Sequence, residues 1–108
     1  MFQRIVGCLS HINTTSRPDI AFAASSLGQA SHAPTKKHVK EATRTLAYLL
    51  GTADKHIAYS VSEKPNNVLT CYADASYADA IGFKSQTGYV VMLNGGPVAW
   101  ASRTQRFV

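Results

Sequence analysis

Residues 68–103 have the sequence VLTCYADASYADAIGFKSQTGYVVMLNGGPVAWASR. It contains three short runs rich in β-branched and aromatic residues, at 68–74, 86–93 and 98–102. The sequence NGGP at 94–97 separates the last two runs and favours a tight turn, because glycine adopts positive φ without steric cost. We therefore predict three strands that form an antiparallel meander.

Helical periodicity precedes this meander. Apolar residues recur at helical spacing over residues 2–12, and Arg17-Pro18-Asp19 has the composition of a second helix start. The third and clearest helix is predicted at 35–50, with Thr35 as N-cap. Its predicted apolar stripe consists of Val39, Ala42, Leu46, Leu49 and Leu50. The predicted fold class is α+β, with three N-terminal helices followed by a three-stranded antiparallel meander.

The pattern divides the chain into a helical segment at 1–52, a connector at 53–67 and the meander segment at 68–108. Within the connector, residues 56–61 (HIAYSV) favour a short strand, and the following residues are polar and turn-rich. A chain of 108 residues is long enough for one domain, or for two fragments that share a core.

Composition restricts the partners and the compartment. The net charge of +5 favours an anionic partner, usually nucleic acid, although a basic surface without a partner has the same composition. No apolar run is long enough to cross a membrane. Cys8 and Cys71 lie in apolar surroundings, which predicts buried free thiols and an intracellular location, in the cytoplasm or nucleus.

One face of the third predicted helix is basic. Lys36, Lys40 and Arg44 follow one another at intervals of four residues, with Lys37 beside them and Glu41 as the one acid among them. Such a row can follow a phosphate backbone, because each neutralised phosphate releases counterions. A solvated helix face without a ligand has the same pattern, so both interpretations stay open.

Asp74 is the candidate metal ligand. It is expected where the first strand ends, and a carboxylate is a ligand that Mg²⁺ prefers. Two-metal phosphodiester hydrolysis needs several converging carboxylates, yet residues 66–108 contain only Asp74 and Asp79, and Asp79 reads as a turn residue. The residues therefore predict one part of a metal site.

Five motifs in order resemble the Pol polyprotein of Ty1/copia-type retrotransposons, across the end of reverse transcriptase and the start of ribonuclease H. They are RPDI at 17–20, HAPTK at 32–36 with YLLGT at 48–52, YADASYA at 72–78, KSQTGYV at 84–90, and PVAWASRTQ at 97–105. Each motif is weak alone, whereas five in the same order at compatible spacing make a strong signal.

This resemblance implies a partial ribonuclease H-like fold, with Asp74 as the first of four carboxylates that bind Mg²⁺ and catalyse hydrolysis. It also implies that the helices belong to a thumb or connection region that grips the template–primer duplex, so that an RNA–DNA hybrid or another nucleic acid is the expected partner. The basic residues that would then contact nucleic acid are Lys36, Lys37, Lys40 and Arg44. The remaining segments of Pol would be partners of this chain.

The chain also departs from the family pattern. Ser76 stands where the family often has Asp, and Ala47 replaces a common Arg. The polymerase YVDD motif and the later carboxylates are not in the sequence, which ends at Val108. We therefore expect a Pol fragment that does not hydrolyse hybrids alone. The alternatives are a non-catalytic nucleic-acid-binding module that uses helix 35–50, and a structural fragment without a ligand.

Overall fold

The computed structural model describes residues 1–60, 67–80 and 82–106, with no side-chain detail for residues 78–80. The chain forms two compact units, a helical unit at 1–56 and a sheet unit at 57–108. Helices followed by an antiparallel sheet confirm the predicted α+β class.

The helical unit contains the three predicted helices. These are α1 (Phe2–Thr15), α2 (Ala21–Gln29) preceded by a 3₁₀ turn (Pro18–Ile20), and α3 (Lys36–Gly51). Pro18 occupies the first turn after Arg17, as the sequence predicts. Thr35 precedes α3 in an extended conformation, and its N–H donates to Nδ1 of His38 at 3.0 Å. That bond satisfies a backbone donor at the helix start.

The core of this unit lies where the three helices meet. Its buried members are Val6, Leu9, Ile20, Ala24, Leu27 and Ala42. The helix α3 contributes Ala42 together with the partly buried Leu46 and Leu49. The predicted stripe was wrong at Val39 and Leu50, which are 49% and 81% exposed, because they lie to one side of this contact line.

The buried guanidinium of Arg17 holds the turn before α2 against the end of α3. Its Nε and Nη2 donate to the two carboxylate oxygens of Asp19 at 3.0 and 2.8 Å. Its Nη1 donates to the carbonyl oxygen of Thr52 at 3.0 Å, and Nη2 donates to the Thr52 hydroxyl at 2.6 Å. The Tyr48 hydroxyl also donates to Asp19, at 2.6 Å. We call these four residues the Arg17 clamp.

The clamp shifts the ionisation of its members. The pKa of Asp19 falls from 3.8 to about 2, chiefly because Arg17 donates hydrogen bonds to its carboxylate and also because the Tyr48 hydroxyl does, while burial opposes the shift. In turn the hydrogen bond to Asp19 raises the pKa of Arg17 from its ordinary value. A paired, hydrogen-bonded arginine of this kind is worth more than an exposed ion pair.

The depressed pKa of Asp19 predicts an acid-sensitive helical unit. Because Asp19 is more acidic in the folded state, its stabilising contribution is complete above about pH 4 and is lost as the pH falls towards 2. We expect the free energy of unfolding to fall by about 1–2 kcal/mol over this interval, allowing for solvent screening. Urea unfolding followed by far-UV circular dichroism measures this loss.

The matched variants are Asp19→Asn and Asp54→Asn, the latter at an exposed acid outside the clamp. Asp19→Asn should flatten this part of the pH dependence, whereas Asp54→Asn should leave it close to that of the unmodified chain. Equal pH slopes for the Asp19→Asn variant and the unmodified chain would contradict the clamp.

The sheet unit contains the predicted meander, with longer strands than the sequence indicated. They are β1 (Thr70–Ala80), β2 (Lys84–Leu93) and β3 (Gly96–Thr104), in the order β1-β2-β3 with both pairs antiparallel. Asn94 and Gly95 form the predicted tight turn, with φ of 51° and 82°. Both cysteines are free and exposed, so the prediction of buried thiols was wrong. Cys71 lies on the outer strand β1, and Cys8 lies on the α1 surface away from the core.

The segment before the sheet packs against the β2–β3 turn without forming a strand. The predicted strand at 56–61 was therefore wrong for 56–60, and its last residue lies outside the described part of the chain. The Ser60 N–H donates to the Asn94 carbonyl at 2.8 Å, and the Tyr59 hydroxyl donates to the Pro97 carbonyl at 2.6 Å. One backbone bond and one side-chain bond thus fix this segment.

Gly96 is required by this packing. A Cβ at Gly96 would lie 2.6 Å from the Tyr59 ring and 2.7 Å from the Ala58 carbonyl oxygen. The ring can rotate away, but the carbonyl belongs to the backbone. Gly88, in contrast, would place a Cβ 3.9 Å from the nearest atom, which is an ordinary contact.

We therefore predict that Gly96→Ala destabilises the sheet unit by about 1–3 kcal/mol, the usual cost of forcing a methyl group into a packed site. Gly88→Ala is the control and should cost less than about 0.5 kcal/mol. Urea unfolding followed by the fluorescence of Trp100, the single tryptophan, reports on this unit. Equal stability of the two variants would show that the 57–60 segment does not pack as described.

Candidate nucleic-acid interface

The basic residues of α3 form one solvent-exposed face. Lys36, Lys40 and Arg44 are all exposed, and each lies about 6 Å further along the helix than the one before. Lys37 is exposed beside them. They point away from the core because the opposite side of α3 carries Ala42, Leu46 and Leu49. We call Lys36, Lys37, Lys40 and Arg44 the basic row.

The cations of the basic row are not neutralised by neighbours. Among the described residues, the one ion pair within 4.0 Å joins Arg17 and Asp19, so no carboxylate there pairs with the row. Glu41, the acid between these cations, is exposed and also lies outside ion-pair distance of them. The row therefore offers four positive charges to an anionic ligand.

A groove opens beside the row, between α3 and the start of α2. It has a volume of about 250 Å³. Its lining residues are Asp19, Ile20, Ala23, Glu41, Arg44, Thr45 and Tyr48. Arg44 thus belongs both to the row and to the groove. No signal in the sequence identified this groove, because its two walls lie about 20 residues apart in the chain and are brought together by tertiary contacts, the core packing and the Arg17 clamp.

Lys55 extends the positive surface beyond the end of α3. Its Nζ lies 5.6 Å from the centre of the Tyr48 ring and 3.5 Å from the Tyr48 hydroxyl. The Arg17 guanidinium carbon is also 5.6 Å from that ring centre, so two cations contact one aromatic side chain. Helical periodicity could not predict the position of Lys55, since α3 ends at Gly51.

Asp74 does not lie where the sequence predicted. It pairs with Gly88 in the middle of β1, because β1 continues to Ala80. It is exposed on an outer strand of the described sheet, and its Oδ1 accepts the Ala75 N–H at 2.8 Å. The prediction that Asp74 ends its strand was therefore wrong.

The neighbours of Asp74 on its own face of the sheet are neutral, whereas Arg103 of the adjacent row lies on the opposite face. The cross-strand row through Asp74 contains Gly88 and Ser102. Two rows along, on the same face of the sheet, Gln86 donates from Nε2 to the Ser102 hydroxyl at 2.8 Å and accepts from the Thr104 hydroxyl at 3.0 Å. These amide and hydroxyl groups bond to one another and bring no second carboxylate to this row.

The residues around Asp74 do not fit a two-metal centre. Nowhere in the described part of the chain do three acidic, histidine or cysteine side chains gather as a metal site requires. The side chain of Asp79 lies outside the described residues. Two-metal hydrolysis needs several carboxylates around two ions, so we derive no metal-dependent step from this arrangement.

Asp74 lies in the sheet unit, whereas the basic row and its groove lie in the helical unit. The site that the structure assembles from sequence-predicted residues is therefore the basic row alone. In the described ranges, no helix combines the length and the apolar character needed to cross a membrane.

Comparison with known proteins gives relatives over nearly the whole chain. A retrovirus-related Pol polyprotein from transposon RE1 of Arabidopsis thaliana is 36% identical over 99% of this chain, which corresponds to 7% of that polyprotein. A transposon Ty5-1 protein of Saccharomyces cerevisiae is 36% identical over 94% of the chain and 33% of its own length. A secreted RxLR effector protein of Plasmopara viticola is 34% identical, over 95% of the chain and 72% of its own length.

The chain thus spans a small part of the first two relatives and most of the third. No family model matches the chain. No solved structure matches it either. Other transposon polyproteins, from Nicotiana tabacum and from yeast Ty1 elements, align over 86–99% of the chain at 30–32% identity. The chain is thus similar, over nearly its whole length, to Ty1/copia-type retrotransposon Pol polyproteins.

Proposed function

We propose that this chain is the segment of a Pol polyprotein that joins the end of reverse transcriptase to the start of ribonuclease H, and that it binds the backbone of an RNA–DNA hybrid through the basic row. The order of the five motifs supports this placement. The alignment of 99% of the chain with a short part of a transposon Pol polyprotein supports it too.

The observation that carries the binding proposal is the unneutralised basic row on a positioned helix. Four exposed cations with no acid in ion-pair distance among the described residues attract phosphate. The end of α3 is fixed to the turn before α2 by the bonds from Arg17 to Thr52. A fixed row loses less conformational freedom on binding than a flexible basic tail does.

The hydrolytic activity of the intact family is the second candidate. The resemblance assigns Asp74 to the first metal-binding carboxylate and Mg²⁺ as the cofactor. The neutral neighbours of Asp74 favour binding over hydrolysis as the property of this chain by itself. The remaining Pol segments are then the proposed partners that complete the catalytic site.

We predict that the double variant Lys40→Ala/Arg44→Ala weakens hybrid binding and lowers its salt dependence. Each lost phosphate contact should reduce the slope of log affinity against log salt concentration by about 1, hence by about 2 in total. Fluorescence anisotropy of a short labelled RNA–DNA hybrid, repeated at several salt concentrations, measures both quantities.

Two single variants serve as controls. Lys84→Ala removes an exposed cation from β2 in the sheet unit, and Asp74→Asn removes the candidate metal ligand. Both variants should change the slope of log affinity against log salt concentration by no more than about 0.3. This is well below the change of about 1 that the loss of one phosphate contact causes. An unchanged slope in the double variant would refute binding through the row. Magnesium-dependent cleavage of the hybrid that disappears in Asp74→Asn would instead favour the hydrolytic candidate.

A further inference from the structure

Glu41 is an anomaly on a surface proposed to bind phosphate. It lies among Lys37, Lys40 and Arg44 on α3, and its negative charge opposes phosphate binding there. Its carboxylate has no hydrogen-bond or ion-pair partner among the described residues. It does, however, line the groove beside the row. A carboxylate repels phosphate, but it can accept a hydrogen bond from a donor group on the edge of a nucleobase.

We propose that the groove binds one nucleobase that carries an exocyclic amino group, with Glu41 as the acceptor of its N–H. The base would belong to an unpaired nucleotide of the strand whose phosphates contact the basic row, so this inference rests on the proposed function. Arg44 links the two surfaces because it belongs to both. The occupant is therefore a nucleotide within a strand and not a free phosphate.

The size and lining of the groove agree with this occupant. Its volume of about 250 Å³ is below the range of about 300–1,000 Å³ that is usual for drug-sized ligands, so it suits a single ring system. Ile20 and Ala23 supply apolar surface for the ring. Thr45 and Tyr48 complete the wall on α3.

Glu41 is the free acceptor because the other acid of the groove is already occupied. Both carboxylate oxygens of Asp19 accept hydrogen bonds from Arg17, and one of them also accepts the Tyr48 hydroxyl. A ligand would have to disrupt the Arg17 clamp to reach Asp19. Glu41 can accept a donor without the loss of any described contact.

A carboxylate acceptor discriminates between bases by the group it meets. Cytosine presents the N4 amino group as a donor, whereas uracil presents the O4 carbonyl oxygen at the same position. A carboxylate attracts the first and repels the second. Adenine and guanine also carry amino groups, so the groove should prefer cytosine, adenine and guanine over uracil and thymine.

The test uses cytidine and uridine, which contain no phosphate and therefore probe the groove independently of the basic row. Each nucleoside is titrated into the full-length chain while backbone amide chemical shifts are recorded by NMR. We expect cytidine to shift the amides of Ala23, Thr45 and Tyr48, with an affinity about fivefold higher than that of uridine.

The variant Glu41→Gln should abolish this preference, because an amide both donates and accepts and can pair with either base. Asp54→Asn removes one exposed negative charge outside the groove and should preserve the preference. Equal affinities for the two nucleosides, or no shifts at the groove, would overturn this inference. Salt-dependent hybrid binding would then still support the proposed function, so the two failures are distinguishable.

Discussion

The hydrogen bonds of the Arg17 guanidinium hold the helical unit together. Arg17 lies 35 residues from Thr52 in the chain, yet it donates to both the carbonyl and the hydroxyl oxygen of that residue. It also binds both carboxylate oxygens of Asp19. A buried charge is costly unless its hydrogen bonds are satisfied, and no buried side-chain polar atom lacks a partner in the described residues. The clamp therefore fixes the end of α3 against the turn before α2.

This position of α3 determines which of its residues meet solvent. Ala42 must face the core formed by Leu9 and Ile20, and the basic row then lies on the outer side of the helix. The same arrangement opens the groove between α3 and the start of α2. The contacts that position α3 thus determine the packing of the core, the exposure of the basic row and the shape of the groove. They connect the fold to the proposed binding.

The sequence predicted those features that follow from local rules. Helical spacing located α1 and α3, Thr35 marked the start of α3, and the Asn94-Gly95 turn set the β2–β3 hairpin. Contacts between distant segments could not be predicted, because they leave no periodic pattern in the sequence. Examples are the hydrogen bond from Arg17 to Thr52 and the contact of Lys55 with the Tyr48 ring. The exposure of Val39 and the mid-strand place of Asp74 likewise depend on tertiary packing and strand length.

Chemical footprinting of lysines can show whether the outer face of α3 contacts nucleic acid. The chain is acetylated with and without a saturating RNA–DNA hybrid, and the modification rate of each lysine is measured by mass spectrometry. We predict that the hybrid protects Lys36, Lys37 and Lys40, while Lys84 on β2 reacts at an unchanged rate. Protection of Lys84 without protection of the α3 lysines would contradict it.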